Sequence, residues 1–181
     1  YYILLDVIQM VEPIDNPYLP KESGSKITFV DVLLGLKSLP NVDIYVTGSN
    51  SKMLSSDVSA AFDPMYESVY EKKNAAYFGR GIVFNKYTGS RGKSGSNDAN
   101  AEYVAYLRRV LEKHNVKFQT AELGRVDIGG GGTIAYILAN YGMDVIDSGV
   151  AVLNMHAPWE VTSKADVYET YRGYKAFLIG E

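Results

Sequence analysis

The chain has 181 residues, of which 46% are hydrophobic and 22% are charged, and its formal net charge is −3. These values are typical of a globular domain and give no reason to expect nucleic acid or an anionic membrane as a partner. No apolar run approaches the roughly 20 residues that a membrane-spanning helix needs. Because the chain has no cysteine, any transition metal must be bound by His, Asp or Glu. The composition is compatible with a reducing compartment, and we predict a cytoplasmic location.

The first 56 residues alternate strand, loop, helix and strand patterns. Residues 2–5 form a short apolar run that ends at Asp6, which is typical of a buried parallel strand. Residues 12–25 contain three prolines and are predicted to be a loop. A helix is predicted over 29–39, stopped by Pro40, and a strand over 42–47, ended by Gly48.

The alternation continues after Asp57. Strands are predicted at 81–84, 118–121, 145–146 and 150–153, and a Gly/Ser/Lys-rich loop at 88–95. Helices are predicted over 98–113, starting at the capping candidates 96–98, over 133–141, closed by Gly142, and from Ser163 onward. The last helix carries four apolar residues on one face, Val167, Tyr171, Tyr174 and Leu178. This order predicts an α/β fold with a mainly parallel sheet flanked by helices.

A glycine-rich turn and a lone histidine mark the candidate site. The sequence VDIGGGGTIA occupies residues 126–135, VIDSGV follows at 145–150 and MHAP at 155–158. Glycines before a helix admit close backbone approach, and the first helical amides could bind a substrate carboxylate or an oxyanion. A tight strand-to-helix turn explains the same glycines equally well.

Together with DVSAAFDP at 57–64, these motifs resemble the aspartyl aminopeptidase and aminopeptidase I family of zinc metallopeptidases. The resemblance covers residues 57–181 and implies a zinc-exopeptidase-like fold, hydrolysis of acidic or neutral N-terminal residues from peptides, and homo-oligomers. It implies that Asp57 binds one zinc ion and that His156 binds another. It also implies that the substrate pocket is lined by Gly131, Gly132 and Thr133.

The family's remaining zinc ligands and its general base come from sequence that precedes the position of Asp57. Residues 1–56 match none of those motifs, so no catalytic residue is assigned, and the catalytic domain is predicted to be incomplete. With about three protein ligands needed for a catalytic zinc, we expect this chain alone to bind zinc weakly or not at all and to turn over no substrate.

Residue by residue, simpler interpretations remain open. A lone histidine after a strand is usually structural or on the surface, and an aspartate such as Asp57 usually caps a helix or a turn. His114 ends a helix, where a cation favours the helix dipole, and receives no catalytic role. Asp63 and Asp147 are interpreted as turn and strand-end carboxylates, either of which could support a metal ligand.

Residues 1–56 resemble a different family, the Walker B-to-sensor part of a prokaryotic AAA-type P-loop ATPase. The similar stretches are YYILLDVIQ at 1–9 and DIYVTGSNS at 43–51. Val7 stands where that family has its glutamate, and no phosphate-binding loop precedes it, so no nucleotide site is predicted. The chain is therefore interpreted as two parts, 1–56 and 57–181. Two alternatives are an inactive product of gene rearrangement and a remnant of an ATP-binding module with an interaction role.

Overall fold

The computed structural model describes residues 48–90, 94–125, 128 and 130–181. The elements predicted before Gly48 lie outside this range. The described strands are β1 (Lys52–Ser56), β2 (Ser59–Ala60), β3 (Ile82–Asn85), β4 (Tyr87–Ser90), β5 (Ser94–Asp98), β6 (Phe118–Ala121), β7 (Asp144–Gly149), β8 (Ala151–Leu153) and β9 (Val161–Thr162). The described helices are α1 (Ala101–Lys113), α2 (Ala135–Ala139) and α3 (Lys164–Ile179), with a 3-10 helix at Pro64–Val69. None of the helices in this part of the chain is both long and apolar enough to span a bilayer.

The largest sheet has the strand order β1-β7-β3-β6. Strands β1 and β7 are parallel, as are β3 and β6, whereas β3 runs antiparallel to β7. Helices α1 and α3 pack on one face through a core that includes Ile82, Phe84 and Ile146, and α2 packs on the other through Val145. Neighbouring residues of one strand point to opposite faces, so β7 serves both layers. The predicted α/β fold is confirmed, with one antiparallel pair in the sheet.

Two parallel pairs of strands follow one another without a break. Strand β1 pairs with β7, and β2 pairs with β8. Between them, Asp57 N–H donates to the Ser148 carbonyl at 3.2 Å, and Ser59 N–H donates to the Val150 carbonyl at 2.8 Å. The continuous pairing brings the segment after β1 and the loop after β8 toward the same side of the fold.

Gly149 permits this pairing because the two backbones touch at that point. A Cβ atom at position 149 would lie 2.0 Å from the Asp57 carbonyl oxygen, a distance that no side chain tolerates. The position is therefore restricted to glycine by close backbone approach.

Two local predictions were wrong. The predicted loop 88–95 is largely an antiparallel hairpin of β4 and β5, with residues 91–93 outside the described range. The capping candidates 96–98 lie in β5, and α1 begins at Ala101, where the Asn100 side chain accepts a hydrogen bond from Tyr103 N–H at 2.7 Å. A capping residue displaced by a few positions moves a predicted boundary by the same amount. Helix α2 is also shorter than predicted, although Gly142 has the expected positive φ of 84°.

Helix α3 packs with a different face from its most apolar one. Of the four residues predicted to share one face, Val167, Tyr171 and Leu178 are 47%, 60% and 41% exposed, whereas Tyr174 is partly buried and packs against the core. The buried positions are Asp166, Thr170, Gly173, Ala176 and Phe177. The close approach of α3 to β3 explains why this face is buried, because a Cβ at Gly173 would already lie 3.1 Å from the Ile82 side chain.

Asp166 anchors the start of α3. Its two carboxylate oxygens accept hydrogen bonds from Gly79 N–H and Gly81 N–H, each at 2.8 Å, and the side chain is buried. Ser163 caps the helix by accepting from the Asp166 N–H. The start of α3 is thereby fixed to the turn that leads into β3.

We predict that Asp166→Asn lowers the free energy of unfolding by about 2–3 kcal/mol, measured by urea denaturation. Asparagine has one acceptor oxygen, so the N–H of Gly79 or that of the buried Gly81 would lose its acceptor. Asp98→Asn is the control, because the ion pair of Asp98 with Lys86 is exposed and its loss should cost less than about 1 kcal/mol. Equal losses for the two variants would contradict the anchoring role.

Candidate metal and substrate site

Asp57 lies directly after β1, where its backbone continues the pairing with β7. The Val58 N–H donates to Asp57 Oδ1 at 2.8 Å, which orients the carboxylate. Partial burial raises the pKa of Asp57 above its ordinary value, while the Val58 N–H and the charge of His156 act in the opposite direction. The structure therefore places Asp57 and His156 within electrostatic reach of each other.

His156 is exposed in the loop between β8 and β9, and its backbone is in the left-handed region at φ 67°. Asn154 has the same kind of conformation at φ 58°. Two bonds hold the loop: Ala157 N–H to the Asn154 carbonyl at 2.9 Å, and His156 N–H to Glu160 Oε1 at 2.6 Å. A left-handed non-glycine residue costs about 1–3 kcal/mol and persists where its surroundings enforce it. The position of His156 is thus set by its loop.

Asp147 is a fully buried carboxylate on β7, opposite Ser55 in the register. Thr133 Oγ1 donates to Asp147 Oδ2 at 2.6 Å and lies 3.3 Å from the Thr88 hydroxyl. Burial raises the pKa of Asp147, the charge of Asp57 raises it further, and the hydroxyls of Thr133, Ser55 and Thr88 lower it. Asp147 Oδ1 has no hydrogen bond of normal geometry among the described residues. This carboxylate ties the end of the glycine-rich turn to the sheet beside Asp57.

The glycine-rich turn runs against the β4–β5 hairpin. Gly89 N–H donates to the Gly131 carbonyl at 3.1 Å, and Gly130 has φ 93°. Gly132 is exposed and Thr133 is buried, whereas Gly129 lies outside the described residues. Helix α2 has only five residues, so its dipole gives little support to anion binding at its first amides.

Three of the predicted site residues, Thr133, Asp57 and His156, are connected in a series that passes through Asp147. Thr133 is bonded to Asp147, Asp147 is electrostatically coupled to Asp57, and Asp57 to His156. Across the described ranges, however, no three or more His, Asp or Glu side chains are grouped so that they could hold a metal ion. Sequence reasoning missed Glu160, whose only signal was its place four residues after His156.

We predict that Asp147→Asn makes the fold more stable at neutral pH. Because the folded pKa of Asp147 is raised, the native state keeps its proton after the unfolded chain has lost it. The free energy of unfolding therefore falls as the pH rises from about 4 through the pKa of Asp147 in the folded protein. The total loss is about 1.4 kcal/mol for each unit by which the folded pKa exceeds the unfolded pKa. Asparagine at position 147 keeps an acceptor for the Thr133 hydroxyl. Because its side chain does not ionise, it removes the loss of stability at higher pH.

The measurement is the urea midpoint of both proteins between pH 3.5 and 8. The urea midpoint of Asp147→Asn should exceed that of the wild type by an amount that grows with pH. A variant that is less stable at pH 7, or whose midpoint follows the wild-type pH dependence, would show that the buried carboxylate is stabilised in its ionised form.

Comparison with protein families gives a match over residues 27–178 to the family described as aminopeptidase I zinc metalloprotease, M18. A probable M18 family aminopeptidase 1 from Clostridium acetobutylicum is 76% identical over 129 residues, which are 71% of this chain and 28% of that relative. The chain thus spans little more than a quarter of that relative's length.

Solved structures show the same fold. The crystal structure of aminopeptidase I from Clostridium acetobutylicum superposes with a TM-score of 0.74 at 67% identity, covering 83% of this chain and 33% of that one. An aminopeptidase from Thermotoga maritima superposes at 0.71 and 48% identity, covering 75% and 30%. The structure of a dodecamer of the Saccharomyces cerevisiae protein mApe1 matches at 0.61 and 23% identity, covering 78% and 30%, and supports the fold alone.

Proposed function

The chain belongs to the aminopeptidase I zinc metalloprotease family, M18, and we propose that it forms part of the catalytic domain of a zinc-dependent aminopeptidase. The proposed reaction removes an acidic or neutral N-terminal residue from a peptide by hydrolysis. The observation that carries the proposal is the continuous parallel pairing of β1 with β7 and of β2 with β8, which brings Asp57 and His156 toward the same side of the fold. These are the two residues whose motifs resemble zinc-ligand positions of this family.

The donor chemistry of the two residues fits zinc. A carboxylate and an imidazole are both common zinc ligands, and neither requires a thiolate. Asp57 is partly exposed and His156 exposed, so an ion from solvent can reach both. A nearby cation would also favour the ionised form of Asp57, whose pKa is raised by burial. A bound zinc ion supplies Lewis acidity toward the peptide carbonyl and lowers the pKa of a bound water.

The peptide substrate is proposed to lie along Gly131, Gly132 and Thr133. Glycine leaves room for a peptide backbone to approach closely. The hydrogen bond from Thr133 to the buried Asp147 keeps this turn in place when a substrate binds. Asp147 itself is fully buried and acts by positioning.

One carboxylate and one imidazole are fewer than the three protein ligands that are usual for a catalytic zinc. We propose that the other ligands and the general base lie outside the described residues, and that this chain alone binds zinc weakly and turns over no substrate. Because the family that the motifs resemble forms homo-oligomers, we also propose homo-oligomeric assembly, and a cytoplasmic location.

The division of the chain at Asp57 and the ATPase resemblance of its first part stay predictions. The match to the M18 family begins at residue 27, and therefore includes residues 27–56 of the segment that resembles an ATPase.

A transplant tests the proposed function without requiring this chain to act alone. We predict that the Clostridium acetobutylicum relative stays an active zinc-dependent aminopeptidase when its matching 129 residues are replaced by those of this chain. Asp57→Ala or His156→Ala in the transplant should each lower kcat/KM by more than about 100-fold, since disturbing even the hydrogen bonds around a metal ligand costs 10–100-fold.

His114→Gln is the matched control, because His114 contacts the Gly180 carbonyl away from the candidate site, and it should retain activity. A folded transplant that is inactive, or one that remains active in His156→Ala, would contradict the proposed function.

A further inference from the structure

We propose that Tyr174 is a positioning residue that fixes the backbone of Asp57. The effect of Tyr174 on metal binding, but not its effect on the backbone, rests on the proposed function. Tyr174 lies on α3, and its hydroxyl donates to the Ser148 carbonyl at 2.7 Å and lies 2.8 Å from Ser56 Oγ. The single phenol group therefore contacts both β1 and β7.

The two contacts of the Tyr174 hydroxyl are with residues that lie opposite each other in the strand pairing. Ser56 and Ser148 are register partners in the parallel pair of β1 and β7. Ser56 immediately precedes Asp57, and Ser148 immediately follows Asp147. The phenol thus lies where the strands that carry both carboxylates end.

The Ser148 carbonyl is shared between Tyr174 and Asp57. It accepts the Asp57 N–H at 3.2 Å and the phenol at 2.7 Å. The first bond is at the long end of the normal range for N–H···O bonds. In the described sheet, β1 has a neighbouring strand on one side only. The phenol therefore adds a support from the helix layer at the end of β1, beside this long N–H···O bond.

The helix brings the phenol to this point by close packing. Gly173, the preceding residue, lets α3 approach Ile82, and Asp166 fixes the start of the same helix. Burial raises the pKa of Tyr174, and the charges of Asp57 and Asp147 raise it further, against the lowering effect of Ser56 and Ser148. The phenol therefore keeps its proton at neutral pH and remains a donor to Ser148.

Tyr174→Phe removes the hydroxyl alone, and Tyr171→Phe is the matched control on the exposed face of the same helix. Amide hydrogen exchange by NMR measures the protection of the Asp57 N–H relative to the amides of Met53 and Ser55, which face β7 from the same edge of β1 as Asp57. We expect this ratio to fall at least about fivefold in Tyr174→Phe and to stay unchanged in Tyr171→Phe. A Tyr174→Phe protein that loses protection uniformly, or keeps the wild-type ratio, would overturn the inference.

Titration with Co²⁺ separates this inference from the proposed function. If the inference and the proposed function both hold, Tyr174→Phe binds Co²⁺ about tenfold more weakly than the wild type, and the visible d–d spectrum of the bound Co²⁺ changes. Tyr171→Phe should match the wild type in both affinity and spectrum. If the wild-type chain shows no Co²⁺ binding that depends on Asp57, the metal proposal fails and the exchange ratio alone decides the role of Tyr174. An unchanged Co²⁺ affinity together with a lowered exchange ratio would overturn the consequence for metal binding and leave the backbone role standing.

Discussion

The close contact between the backbones of Gly149 and Asp57 is the constraint on which the candidate site depends. It lets β1 and β2 follow β7 and β8 as one parallel pair, so that the segment at Asp57 and the loop that carries His156 come together. A side chain at position 149 would force the strands apart at the point where the pairing must continue. The strained loop at His156, held by Glu160, then completes the placement of the second proposed ligand.

Two buried carboxylates position parts of this arrangement, with opposite effects on the stability of the fold. Asp166 is fully matched, since each oxygen accepts a backbone N–H, and a buried group satisfied in this way strengthens the fold. Asp147 is only partly matched, because Oδ1 lacks a partner of normal geometry among the described residues, and its ionised form costs stability. A cost of this kind close to a candidate site is consistent with a role in positioning Thr133 and the turn before it.

The sequence was sufficient for the fold class and for four of the nine described strands, β3, β6, β7 and β8, because the segments predicted at 81–84, 118–121, 145–146 and 150–153 are short and bounded by turn residues. It was insufficient where tertiary contacts decide. Gly173 and Asp166 select the packed face of α3 over its more apolar face, and Asn100 displaces the start of α1. Motifs indicated Asp57 and His156. Glu160 had no signal beyond its place four residues after His156, and its role arises from a hydrogen bond to the strained backbone there. Tyr174 was predicted only as part of an apolar helix face, because its hydrogen bonds to β1 and β7 are tertiary contacts.

Zinc-edge anomalous diffraction from crystals of this chain grown in millimolar zinc shows directly whether Asp57 and His156 bind the metal. We expect anomalous peaks about 2.0–2.2 Å from the Asp57 carboxylate and from the His156 imidazole, the usual lengths of such bonds. Both peaks should disappear in the Asp57→Ala, His156→Ala double variant. Zinc bound only at unrelated side chains, such as His114, would contradict the claim that these two residues form a metal-binding face.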